Sequence, residues 1–97
     1  MTWLLALALT HGVLEECRAS RDARTAGDVV HAIEHAKACV ARWPTEPDAF
    51  IELSRSLALA GRFEDGLDAA RRAAELAPDY EAARLRAAEA ERWLAGE

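Results

Sequence analysis

The chain has 97 residues, a formal net charge of −5, 52% apolar side chains and 30% charged ones. That is enough for one domain with a modest core, and the acidic balance argues against a general nucleic-acid binder, which needs a basic face for phosphates. Alanine, leucine, glutamate and arginine dominate and no stretch alternates as a strand would, so the chain reads as all-α.

Residues 1–12, "MTWLLALALTHG", carry an apolar run from Trp3 to Leu9. The run is far shorter than the about 20 residues that span a bilayer. No basic residue precedes it, and Ala6-Leu7-Ala8 falls inside the run where a signal peptide would place its cleavage site after it. It is expected to form an N-terminal capping helix; a signal or membrane tether is the alternative.

Residues 13–46 and 47–80 repeat one another at an offset of 34. The offset lays Ser20 on Ser54, Gly27 on Gly61, Val29 on Phe63, Ala32 on Gly66 and Ile33 on Leu67. It also lays Ala36 on Ala70, Cys39 on Ala73 and Pro44 on Pro78. Each unit reads as a helical hairpin: glycine supplies the left-handed residue that ends the first helix, and proline stops the second. In the second unit Gly66, Ala70 and Ala73 form a narrow stripe at i, i+4, i+7 facing Ser54. Small side chains let two helix axes approach, while Phe50, Leu53, Leu57, Phe63, Leu67 and Leu76 fill the flanks. Residues 81–97 fit a final helix, with Trp93 and Leu94 folding back on the last hairpin.

Residues 48–80, "DAFIELSRSLALAGRFEDGLDAARRAAELAPDY", resemble a tetratricopeptide repeat. Phe50, Leu53, Ser54, Gly61, Phe63, Gly66, Ala73 and Pro78 stand on its signature positions, with Gly66 where the family usually has alanine. Residues 13–46 are a degenerate copy that keeps Ser20, Gly27, Ala32 and Pro44 but has Glu16 for an aromatic and Arg42 opposite Leu76. The resemblance implies antiparallel hairpins stacked as a short right-handed α-solenoid, about two repeats between capping helices (residues 1–12 and 81–97). Leu5 and Leu9 would then be the tail of a preceding second-type helix. Such stacks need neighbours or caps to bury their cores, so self-association through the hydrophobic ends is an alternative role.

The resemblance also implies a concave groove lined by the first helix of each hairpin. Here the partner-binding candidates are Arg18, Arg21, Arg24, Ile51, Glu52, Arg55, Leu59, Arg86 and Arg92, with Cys17, Leu85 and Glu89 beside them. Arg21, Arg55 and Glu89 form one row and Arg18, Glu52 and Arg86 another. Guanidinium groups take carboxylates in forked pairs, so such a groove suits an acidic peptide or protein. The opposing reading pairs these arginines with local glutamates. The lysine and asparagine set of the family's chaperone-tail clamp is missing.

His31, His35 and Cys39 share one helix at i, i+4, i+8, a spacing that can present metal ligands. Without a fourth ligand the histidines are expected to be ordinary surface groups. Cys17 and Cys39 can pair in principle, but read as two small buried thiols. No nucleophile–base pair, phosphate loop or metalloprotease motif occurs. The expectation is a non-catalytic, cofactor-free, cytoplasmic protein-interaction module. Self-association is the first alternative, and an exported or membrane-tethered protein is the second.

Overall fold

The computed structural model describes Glu15 and residues 17–96. Residues 1–14, Glu16 and Glu97 lie outside the described residues, and with them the expected capping helix over 1–12. Among the described residues five helices pack against one another and no strand occurs. They are α1 (residues 17–25), α2 (Val29–Arg42), α3 (Pro47–Leu59), α4 (Phe63–Leu76) and α5 (Glu81–Leu94). Each of α2 to α4 packs on the next in sequence, and α3 also reaches α5.

The 34-residue offset reappears in the backbone. Gly27 and Gly61 both adopt φ +79°, the left-handed conformation glycine enters without strain. After α1, Gly27 N–H donates to Arg24 O and Asp28 N–H to Ala23 O; after α3, Gly61 N–H donates to Ala58 O and Arg62 N–H to Leu57 O. Both are Schellman closures, which satisfy the last carbonyls of the helix. The helices before Pro44 and Pro78 stop at Arg42 and Leu76, two residues ahead of each proline. Trp43 N–H then donates to Cys39 O, as Ala77 N–H does to Ala73 O. Pro47 opens α3 in its first turn, where a missing N–H costs nothing.

Small residues set the spacing between helices. Ala32, Ala36 and Cys39 on α2, and Gly66, Ala70 and Ala73 on α4, are buried. The two serines that face them also bond. Ser20 Oγ donates to Ala32 O at 2.9 Å and Ser54 Oγ to Gly66 O at 2.7 Å, the same contact 34 residues apart. At Gly66 an added Cβ would lie 3.1 Å from Ser54 O, so the missing side chain lets α3 and α4 approach closely there.

The structure corrects one expectation about this core. Cys17 and Cys39 are not free thiols: they form a disulfide between α1 and α2, with their Cα atoms 5.6 Å apart. The repeat register explains the pairing. Positions 17 and 39 correspond to Ile51 and Ala73, which share a core cluster with Ala83. Val40 and Trp43 pack against the bridge together with Ala49. Where the second hairpin joins its helices by apolar contact, the first uses a covalent bond.

Candidate functional site

Three helices present arginines to one open groove of about 580 Å³. Arg24 reaches it from the last turn of α1, Arg55 from α3 and Arg86 from α5. Leu59, Phe63 and Trp93 form its apolar wall, and Glu89 lies at its edge. Trp93 stacks on Phe63 with ring centroids 5.7 Å apart and planes 5° off parallel. Trp93 thus does fold back on the last hairpin, yet remains 55% exposed.

The arginines are not equivalent. Glu52 is buried on α3 and accepts from two residues of α1: Arg21 Nη2 to Oε1 at 3.1 Å and Arg24 Nη1 to Oε2 at 2.8 Å. Arg24 also lies 3.5 Å from Ser56 Oγ, whose hydroxyl bonds Ser20 Oγ at 3.0 Å. Arg86 is buried at the groove floor; its Nε donates to Ser54 Oγ at 3.1 Å and its Nη1 approaches Glu89 Oε2 at 3.5 Å. Burial pushes the Arg86 guanidinium below its usual range; Glu89 pulls it back up, and the neighbouring Arg55 and Arg24 push it further down. Arg55 is exposed and makes no ion pair among the described residues. Four arginines therefore share two glutamates, leaving a local excess of positive charge in an acidic protein.

The groove thus gathers Arg24, Arg55, Leu59, Arg86 and Glu89 from the sequence-derived candidates. Arg21 stands beside it, tied to Glu52; Arg21 and Arg24 pair with a local glutamate, while Arg55 makes no ion pair among the described residues. Arg18 and Arg92 are exposed outside the groove lining, as is Leu85. Ile51 is a correction. It is buried in the core with Ala73 and Ala83 and offers nothing to a ligand. Successive helical residues point about 100° apart, so Glu52 turns towards the arginines of α1 while Ile51 turns into the core. Cys17 is likewise buried, in the disulfide.

Sequence reasoning missed Phe63 and Trp93 as groove residues. The signal was present, because the offset of 34 carries Leu59 onto Trp93. His31 and His35 lie on the exposed face of α2. His31 Nδ1 is 2.6 Å from Asp28 Oδ2, the residue whose Oδ1 caps α2 by accepting from His31 N–H. The His31 backbone bond, then its ring, hold the Asp28 carboxyl below the usual range. Among the described residues no three His, Cys, Asp or Glu side chains cluster as a metal site requires. Nor, among those residues, is any helix long and apolar enough to cross a membrane.

No family model matches this chain, and no curated protein matches it significantly.

Proposed function

We propose that the chain is a tetratricopeptide-like helical-repeat module that binds an acidic segment of a protein partner in the arginine groove. One observation carries the reading: Arg55 stands open beside Arg86 and Arg24, with no carboxylate of its own among the described residues. Guanidinium groups held by Ser54, Glu89 and Glu52 are pre-oriented, so a ligand carboxylate meets fixed donors and loses less entropy on binding. The repeated Schellman closures and serine bonds support the stacked-hairpin reading. Nothing in the groove resembles a nucleophile with its base, so the proposed role is binding without catalysis.

Affinity capture from the source cell with the wild type and Arg55→Glu tests this. Arg55 is exposed and makes no ion pair among the described residues, so the variant is expected to change the groove and keep the fold. Partners held by the wild type and lost by the variant support the reading. Partners held equally by both end it, and sizing across a range of concentrations then tests self-association.

The disulfide favours the exported alternative over a cytoplasmic location, since such bridges persist in oxidising compartments and are rare in the cytosol. Alkylation of protein taken from its native cell without reductant measures this. No alkylated thiol is the expected mass; two alkylated thiols would point to the cytosol.

A further inference from the structure

The acidic-ligand reading uses only half of the groove. Its other wall is apolar and exposed: Leu59 is 48% and Trp93 55% accessible, and Trp93 is braced flat against Phe63. Neither is needed by the core clusters, which consist of alanines, Ile51, Leu67 and the disulfide. A tryptophan held in a stack has lost little freedom to lose again on binding, and offers a rigid apolar plate to a ligand side chain. Leu59 and Trp93 occupy equivalent places in the repeat, as do Arg55 and Glu89. The apolar pair and the charged set thus line one cavity side by side, about 580 Å³ in all, a size suited to a few residues of an extended segment.

We propose that the groove recognises a two-part motif, a carboxylate next to an aromatic or large aliphatic side chain. The carboxylate sits on Arg55 and Arg86, and the apolar side chain lies on the Leu59–Trp93 wall. The inference rests on the groove reading and adds its specificity. Charge complementarity selects the first part. Arg86 already bonds Ser54 and Glu89 through Nε and Nη1, so Arg55 supplies the freest donors, and the neighbouring guanidiniums repel one another until an anion arrives. Water exclusion selects the second, because an apolar side chain laid over Trp93 removes exposed surface from solvent on both partners. A purely acidic segment would leave that wall wet, and a purely apolar one would bury Arg55 without a counter-charge.

The test is an array of octapeptides in which two neighbouring central positions scan all pairs of amino acids, each made with a free and an amidated C-terminus. It is probed with the wild type, Arg55→Glu and Trp93→Ala. Both substituted residues are exposed, and circular dichroism confirms that the variants keep the helical fold. The expected result is that wild type prefers acid–aromatic and acid–leucine pairs over acid–alanine pairs by about tenfold or more. Trp93→Ala abolishes that difference while still preferring glutamate to glutamine, and Arg55→Glu loses the preference for the acid. The carboxylate of the motif belongs to a side chain, so binding is expected to survive in the amidated series; its loss there overturns the motif. If acidic peptides bind but the neighbouring residue makes no difference, or Trp93→Ala changes nothing, the two-part motif is overturned and the acidic groove stands. If no acidic pair is preferred by the wild type, the groove reading itself falls.

Discussion

Cys17 is bonded to Cys39 at the place where, 34 residues later, Ile51 packs beside Ala73. The bridge closes a separation of 22 residues, and fixing a loop of that length in the unfolded chain contributes about 3 kcal/mol. The double variant Cys17→Ser/Cys39→Ser is expected to lose roughly that amount in urea unfolding. Cys17→Ile/Cys39→Ala, which copies the second hairpin's pair, should recover about 1–2 kcal/mol through apolar burial. Equal stability of the serine and the isoleucine–alanine variants would show that this position packs differently from position 51.

Ser54 Oγ donates to Gly66 O and accepts from Arg86 Nε, so one hydroxyl ties α3 to both α4 and α5. Ser54→Ala leaves a buried carbonyl and a buried guanidinium nitrogen short of a partner, and is expected to cost about 2 kcal/mol. Ser20→Ala strands Ala32 O and the Ser56 hydroxyl but no guanidinium, and should cost less because a bond to a charged group is worth more than one between hydroxyls. Chemical denaturation of both variants checks the order; equal losses would mean that the Arg86 bond adds no more than the Ser56 bond.

At Gly66 two effects compete. Alanine gains about 1 kcal/mol of helix propensity, but its Cβ would stand 3.1 Å from Ser54 O. The first hairpin shows how this resolves. Ala32 carries a Cβ at the same register, and its serine bond is 2.9 Å against 2.7 Å at Gly66. A separation of the helices by a few tenths of an ångström is therefore compatible with the bond. Gly66→Ala should change stability by less than about 1 kcal/mol. Gly66→Val cannot be accommodated by so small a shift, and should cost about 2 kcal/mol or more through overpacking. Thermal melts of the two variants decide it, with a stable valine variant as the adverse result.

How far the sequence alone reveals this molecule depends on what each residue's position requires. Gly27 and Gly61 were legible because a left-handed residue between two helical stretches has almost no other solution. Ala70 and Ala73 were legible because small residues at helical spacing mark close approach. Cys17–Cys39 was not, since periodicity places both cysteines on buried faces whether or not the helices approach to bonding distance. Ile51 reads as a groove residue from sequence because the hairpin-facing and groove-facing sides of α3 adjoin, and a turn of about 100° separates Ile51 from Glu52. Trp93 is hidden as a groove residue because a tryptophan folding back on the last hairpin reads as packing, although its register matches Leu59. Sequence patterns specify spacing along a helix well, but which of two adjoining faces a neighbour covers depends on the whole stack.

Glu52 holds Arg21 and Arg24 with its own side chain only 6% exposed. Glu52→Gln keeps the shape and removes the charge. Two guanidiniums then face one another across a neutral amide, with Arg24 largely buried. The expected cost is about 2 kcal/mol, below the about 3–5 kcal/mol of a fully buried broken pair because Arg21 remains half in water. The same change raises the positive charge of the groove, so an acidic peptide should bind the variant at least as tightly at low salt, with a steeper loss as salt is added. Weaker binding with an unchanged salt dependence would place Glu52's effect outside the groove's electrostatics.

Tyr80, in the turn before α5, donates its hydroxyl to Asp48 Oδ1 in the first turn of α3 at 2.7 Å. The bond spans 32 residues and pins the α4–α5 turn to the start of the hairpin before it. This bond, then partial burial and the charge of Asp48, raise the Tyr80 phenol above its usual value, because a phenolate would lose the bond and face the carboxylate. A group whose folded pKa is raised contributes stability that is complete below its unfolded pKa, about 10 for tyrosine, and lost as pH rises through the folded value. Tyr80 is 38% exposed, so solvent screening holds the contribution to about 0.5 kcal/mol. Tyr80→Phe should therefore melt below the wild type at pH 7, and the gap should close between pH 10 and the alkaline limit of the fold. Melting curves of both proteins from about pH 7 to 11 measure it. A gap that stays constant over that range would assign the loss to packing of the phenol oxygen and remove the hydrogen bond from the account.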